Sequence, residues 1–266
     1  MQEVIQFNSH QSVRIDNENV GAILLDISAL QADGITVAVL ADLNKISVEL
    51  GVYRNGSAKP EYVFNDYLDN VLIALSGGTT RYDIATTVQS KRLLIALGLG
   101  GSLNLQGKDH AIFKCRAQNT AFTSLSTATS DITVETVAST KHSPTLNVVE
   151  GVPYVTGEIN VNKKLGDGIT KIVMANDFTA PYSTTAKAKP TNGIVLNANG
   201  FSKEASENLL VSENLHYLQN NPATAVKQLL LYNNPNNVLN NVRLTCKLSA
   251  GADADARLLL VRRKRV

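Results

Sequence analysis

The sequence predicts an all-β fold of two tandem jelly-roll barrels, each with one short helix inserted. Two observations predict it. Short strand-like segments alternate with turn signals along the whole chain, and the order of segments in the first half returns in the second. Asp33-Gly34-Ile35-Thr36 recurs as Asp167-Gly168-Ile169-Thr170, and Ile112-Phe113-Lys114-Cys115-Arg116 is echoed by Leu244-Thr245-Cys246-Lys247. Each pair is separated by roughly 130 residues, the size of one small domain. The expected halves are residues 1–140 and 145–266, with Ala138 to Pro144 as the link.

In the first half, Ala22 to Ile27 and Ile35 to Leu40 read as strands, and Ile46-Ser47-Val48-Glu49-Leu50 alternates apolar and polar like a half-buried strand. Arg54-Asn55-Gly56-Ser57 reads as a turn, since Asn-Gly readily takes positive φ. Pro60 then suits a helix start. Phe64, Tyr67, Leu68, Val71, Leu72 and Leu75 fall on one helical stripe, predicting a helix that Gly77-Gly78 ends. Strands are expected again at Leu93 to Leu97, Ala111 to Arg116 and Ile132 to Val137.

The second half restarts near Val148, with strands at Gly157 to Val161, Ile169 to Met174 and Gly193 to Leu196. Lys203 to Leu218 is expected to be a helix, with Ala205, Leu209, Ser212 and His216 on one line. Val226 to Tyr232, Val242 to Leu248 and Arg257 to Val261 complete it, with a turn-rich loop from Asn233 to Asn241. Six or more short strands per half match one eight-stranded jelly roll each.

Composition excludes more than it selects. Apolar residues make up 44% of the chain and charged residues 18%, so it is globular; a net charge of +2 gives no global case for nucleic-acid binding. The start Met1-Gln2-Glu3-Val4 has no secretory pattern, and no apolar run is long enough to span a bilayer, so a protein made soluble in the cytoplasm is expected. Cys115 and Cys246 are expected to be buried free thiols. The histidines His10, His110, His142 and His216 are scattered, without a His-x-His pair, which argues against zinc and against bicupin-type metal enzymes. Gly98-Leu99-Gly100-Gly101 lacks the third glycine of a dinucleotide loop, Leu103 standing there, and no nucleophile elbow exists. Asp253-Ala254-Asp255 reads as a hairpin turn rather than a calcium loop, and Asn55-Gly56-Ser57 as a turn rather than a glycan acceptor. No catalytic residue, cofactor, metal or small-molecule substrate is expected, and the chain is not expected to be an enzyme.

One charge feature stands out. Arg262-Arg263-Lys264-Arg265 follows the apolar run Leu258 to Val261 and reads either as a solvated end or as an anion-binding patch at a fixed edge of the second domain, suited to anionic lipid.

The chain resembles the double jelly-roll major capsid proteins of tailless, membrane-containing bacteriophages, and in length and layout the corticovirus type. The segments that carry the resemblance are Ile46 to Leu50 leading to a Tyr62–Leu75 helix, and Gly193 to Leu196 leading to a Lys203–Leu218 helix. It implies a homotrimer whose six barrels form a pseudo-hexagonal tile of an icosahedral shell over an internal membrane. It also implies contacts with neighbouring capsomers and other capsid proteins, a place in the virion, and membrane contact for Arg262, Arg263, Lys264 and Arg265. A two-domain β-sandwich binding protein, such as a phage spike or a carbohydrate-binding adhesin, is the rival; the absence of Trp and the 5% aromatic content weigh against it.

Overall fold

Alternating side chains become antiparallel strands throughout. The computed structural model describes residues 1–41, 45–75, 91–97, 102–140, 145–153, 160–175, 191–206, 208–210, 212–213, 228–248 and 257–265. The chain clusters into two units, residues 1–75, 81–148 and 264–266 in one, residues 76–80 and 149–263 in the other. The first unit carries β1 (Gln2–Gln6), β2 (Ser12–Asp16), β3 (Asn19–Ser28), β4 (Val39–Leu40), β5 (Ile46–Tyr53), β6 (Glu61–Tyr67), α1 (Leu68–Leu75), β7 (Lys91–Ala96), β8 (Leu103–Asn104), β9 (His110–Ala117), β10 (Phe122–Thr123) and β11 (Asp131–Ala138). The second carries β13 (Asn160–Gly166), β14 (Ile169–Ala175), β15 (Thr191–Ala198), β16 (Phe201–Ser206), β17 (Gln228–Asn233) and β18 (Val242–Leu248), together with β12 (Thr145–Pro153) from Val149 on and β19 (Arg257–Arg265) as far as Arg263.

Strand order defines the architecture. The first unit pairs β1-β11-β3-β7 in one sheet and β2-β9-β5-β6 in the other; β8 adds to β3, and β4 pairs with β10 apart from both. The second unit pairs β12-β19-β14-β17 and β13-β18-β15-β16. Setting aside the two-residue strands, the two units share one order: first-last-third-sixth in one sheet, second-seventh-fourth-fifth in the other. Two four-stranded sheets linked in this way form a jelly roll, and this chain contains two.

Each barrel is filled from the inward positions of its strands. Ile15, Ile23, Leu25, Leu50, Phe64 and Phe113 are fully buried in the first, and the Phe64 and Phe113 rings meet edge to face at 6.4 Å. Val161, Ile172, Met174, Leu196, Leu244 and Leu260 belong to the core of the second. At one end of the first barrel, Asp109 ties two connections together. Its carboxylate accepts from the Asn55 N–H and the Arg54 guanidinium, both at 2.7 Å. These hydrogen bonds, the Asn55 one foremost, hold the Asp109 carboxyl below the usual carboxylate range. The expected Asn-Gly turn is present there, with Asn55 and Gly56 at φ 52° and 74°.

The duplicated segments behave differently from each other. Cys115 and Cys246 lie on β9 and β18, the seventh strand of each barrel, opposite Val48 of β5 and Ile194 of β15. Both are buried free thiols, and burial pushes the Cys115 thiol up to about 12. The Asp-Gly-Ile-Thr repeat is no such match. Asp33 to Thr36 lies between the third and fourth strands of its barrel, whereas Asp167 to Thr170 turns from the second strand into the third.

That difference overturns the strand expected at Ile35 to Leu40. The Asp33 carboxylate accepts from the N–H groups of Ile35 and Thr36 and from the Thr36 hydroxyl, which holds the segment in a side-chain-closed turn. Only Val39 and Leu40 pair as a strand, with Phe122 and Thr123.

Both expected helices start later than their stripes. Glu61 to Tyr67 is strand β6, with Phe64 opposite Leu50 and Asp66 opposite Val48; only Leu68–Leu75 is helical. Phe64 and Tyr67 fit a helical stripe and a strand equally well, and cross-strand pairing decides between them. Asp66 ends the strand by accepting from its neighbour Tyr67 N–H at 2.7 Å and from the Asn70 amide at 2.9 Å. In the second barrel, Lys203, Glu204 and Ala205 pair with β15, and helical residues are 208–210 and 212–213. Ser206 plays the part of Asp66, its hydroxyl accepting from Leu209 N–H at 3.4 Å. Leu210, not Leu209, faces the core. Gly77-Gly78 after the first helix, the expected end of the second with His216, Gly98 to Gly101, His142 and Asp253 to Asp255 lie outside the described residues.

Candidate assembly surfaces

The basic segment at the chain end is part of β19, which lies between β12 and β14 as a central strand rather than at a sheet edge. Arg262 is only 16% exposed. Its guanidinium donates to the Glu150 carboxylate, to the Asp167 carbonyl at 2.7 Å and to the Leu165 carbonyl at 2.6 Å. The Arg263 guanidinium donates to the Pro235 carbonyl, and Arg263 N–H donates to the Gly168 carbonyl at 2.8 Å. Gly168 sits at φ +77°, and a Cβ there would stand 3.2 Å from the Arg263 carbonyl oxygen, so the close approach favours glycine. Lys264 is exposed, and Arg265 closes the strand.

The four basic residues are therefore not one free cluster. Arg262 clamps the β13–β14 turn onto the last strand. Arg262→Ala will leave two backbone carbonyls and Glu150 without this partner, lowering stability by about 1–3 kcal/mol. Lys264→Ala will change it by less than about 0.5 kcal/mol. Urea unfolding of both variants checks this, and equal effects would contradict the clamp.

Apolar side chains missed in the sequence lie on the outer face of the β1-β11-β3-β7 sheet. Val4 is 53% exposed and Leu94 48%, and Val137 is also exposed. The registers Val4–Thr133–Asp26–Arg92 and Gln2–Glu135–Leu24–Leu94 run as neighbouring rows across this face. A signal was present, since Leu93-Leu94-Ile95 breaks the alternation expected of a sheet with one wet face. Ile35 and Val39, in the connection after β3, are 74% and 63% exposed. The Asp33 turn holds Ile35 in place, so this apolar tip is preorganised rather than loose.

In the equivalent sheet of the second unit, the central strands β14 and β19 are buried on both faces. Lys171, Val173, Leu259 and Val261 are all less than 5% exposed, yet none belongs to the barrel core. The runs Ile172-Val173-Met174 and Leu258 to Val261 are the expected signature of strands covered on both sides.

Among the described residues no group of three or more His, Cys, Asp or Glu side chains could hold a metal ion, and no helix is long and apolar enough to cross a membrane. His110 stacks flat on Tyr53 with centroids 4.7 Å apart.

No protein-family model matches the chain, and none of the curated proteins matches it in sequence. Solved structures do match. The STIV MCP aligns over 98% of this chain and 95% of its own, at a TM-score of 0.57 and 12% identity. This chain shares its double jelly-roll fold with the STIV MCP. The major capsid protein of bacteriophage PM2 aligns over 100% of this chain and 98% of its own at 0.49 and 12% identity. That of mavirus aligns over 99% and 87% at 0.31 and 8%.

Proposed function

We propose that this chain is a major capsid subunit, a structural protein and not an enzyme, whose trimers form pseudo-hexagonal tiles of an icosahedral viral shell over an internal membrane. The observation that carries this reading is the repetition of one jelly-roll strand order twice in one polypeptide, matched end to end by the STIV MCP. Three such chains about a threefold axis supply six barrels, and six barrels make a near-hexagonal outline that packs without gaps. The partners are other copies and other capsid proteins. The exposed Val4, Leu94, Val137, Ile35 and Val39 supply apolar surface for such contacts.

Light scattering of the purified full-length protein tests it. A trimer or larger assembly is expected at micromolar concentration, and a monomer that persists as concentration rises contradicts the reading.

Membrane contact belongs to the end of β19. With Arg262 and Arg263 engaged by the protein, Lys264 and Arg265 are the residues proposed to meet anionic lipid. Each basic residue near such a surface contributes about 1 kcal/mol. The double variant Lys264→Gln/Arg265→Gln is therefore expected to bind phosphatidylserine-containing vesicles about 30-fold more weakly at low salt. Unchanged cosedimentation refutes the lipid role and leaves the capsid role standing.

A further inference from the structure

One end of the β2-β9-β5-β6 sheet carries positive charge that no described residue of the barrel answers. A groove of about 380 Å³ opens there, lined by Asn8, His10, Lys45, Ser47, Tyr67 and Arg116 among others. Its layout follows from register. Ser47 stands opposite Tyr67 on one side and Arg116 on the other. Extending the β2–β9 pairing, in which Ser12 faces Lys114, sets His10 beside Arg116. The next row out holds Lys45 and Gln118, joined by the bond from Gln118 N–H to the Lys45 carbonyl at 3.0 Å, and Asn8, whose N–H donates to the Ala117 carbonyl at 2.9 Å. Ile46 and Ala117, the residues between these rows, point into the barrel. The side chains of Lys45, Ser47, Arg116 and Gln118 therefore share the outer face, where diagonal neighbours lie about 7–8 Å apart. Both long cations can reach one point between them.

The neighbouring row shows what a neutralised pair looks like on this sheet. Lys114 meets the Glu49 carboxylate at 2.7 Å. Among the described residues, Lys45 and Arg116 have no carboxylate partner and no carboxylate lines the groove. Asn8 is oriented as well. Its carbonyl oxygen accepts from Asn119 N–H at 3.0 Å, which turns its amide N–H groups toward other acceptors.

We propose that this groove binds a phosphate group. A planar guanidinium, a flexible ammonium, an imidazole and a rim of neutral donors suit a multiply charged tetrahedral oxyanion better than a single carboxylate. A phosphate monoester brings close to two negative charges and three strong acceptor oxygens, and arginine engages two of them at once. The phosphate is either free in solution or part of a lipid headgroup, and the chemistry at the groove is the same. This site stands apart from the capsid reading and from the basic end of β19, so either can fail alone.

The experiment is calorimetric titration of the full-length protein with inorganic phosphate at low salt, repeated with Arg116→Gln, Lys45→Gln and the control Arg14→Gln on the same sheet. Saturable binding is expected in the native protein and in the control, weakened at least tenfold in each groove variant, while acetate binds much more weakly. A second arm uses phosphatidylcholine vesicles with and without phosphatidic acid. Binding to phosphatidic acid that is lost in Arg116→Gln identifies a lipid source. Phosphate binding without such vesicle binding identifies a soluble one. No saturable phosphate binding, equal affinity in Arg116→Gln, or acetate binding as tightly as phosphate overturns the proposal; the last result would point instead to an acidic side chain of a second copy.

Discussion

Phe113→Ala will destabilise the first barrel by about 3–5 kcal/mol. The ring sits on β9 with no exposed surface, opposite Leu50 of β5 and Val13 of β2, and packs edge to face on Phe64. Removing it deletes both the burial of a large apolar side chain and an aromatic contact, and leaves a cavity that two flanking strands cannot close without losing their register. Arg14→Ala, on the outer face of the neighbouring strand, removes only an exposed pair with Asp16 and will leave the unfolding midpoint essentially unchanged. Urea unfolding followed by circular dichroism measures both. A loss below about 1 kcal/mol for Phe113→Ala contradicts the packed interior described for this barrel.

The second large effect belongs to Lys171 and depends on pH. Lys171 lies on β14 opposite Val261, on the sheet face turned away from the barrel core, and is 4% exposed. Burial lowers its pKa from 10.5 to about 7. The unfolded chain therefore holds this proton up to about pH 10.5 while the folded chain releases it near 7. The Lys171 contribution to stability rises with pH between those values and is constant below them. From pH 7 to 9 the expected gain is about 2 kcal/mol. The window stops at 9 because the Cys115 thiol, raised from 9.0 to about 12, withdraws stability as pH climbs further. Lys171→Met will abolish the slope between pH 7 and 9. A slope of the same size in the variant contradicts the assignment to Lys171.

How much of this was legible in the residues depends on whether local pattern or distant pairing decides. The β5 segment Ile46 to Leu50 carries its alternation openly, and both cysteines marked equivalent strands because a small apolar thiol suits a buried inward position in each. Asp33 to Thr36 misled, because four identical residues make a closed turn in one place and a hairpin corner in the other. What differs is the partner: Asp167 meets Asn241 N–H at 2.6 Å from 74 positions away, whereas Asp33 closes on its own next residues. The early parts of both expected helices were strands for a related reason, since β5 and β15 supply pairing that no stripe reveals.

The chain-end cations and the groove show the same limit. Four consecutive basic residues read as one patch, but strand alternation and the β13–β14 turn send Arg262 inward to Glu150 and two carbonyls. Lys45 and Arg116 lie 71 positions apart in the sequence and carry no shared pattern. Only the antiparallel register of β5 and β9 brings them to one face. Apolar exposure on β7 was readable as a broken alternation, although nothing in Leu93-Leu94-Ile95 says which of the three faces outward.

In the proposed function, two like barrels in one chain act through their packing surfaces. Negative-stain electron microscopy of the purified full-length protein tests it most directly. Trimeric particles of pseudo-hexagonal outline, sheets of such tiles, or closed shells are expected. Uniformly dispersed single chains at high protein concentration, under both low and physiological salt, would contradict it.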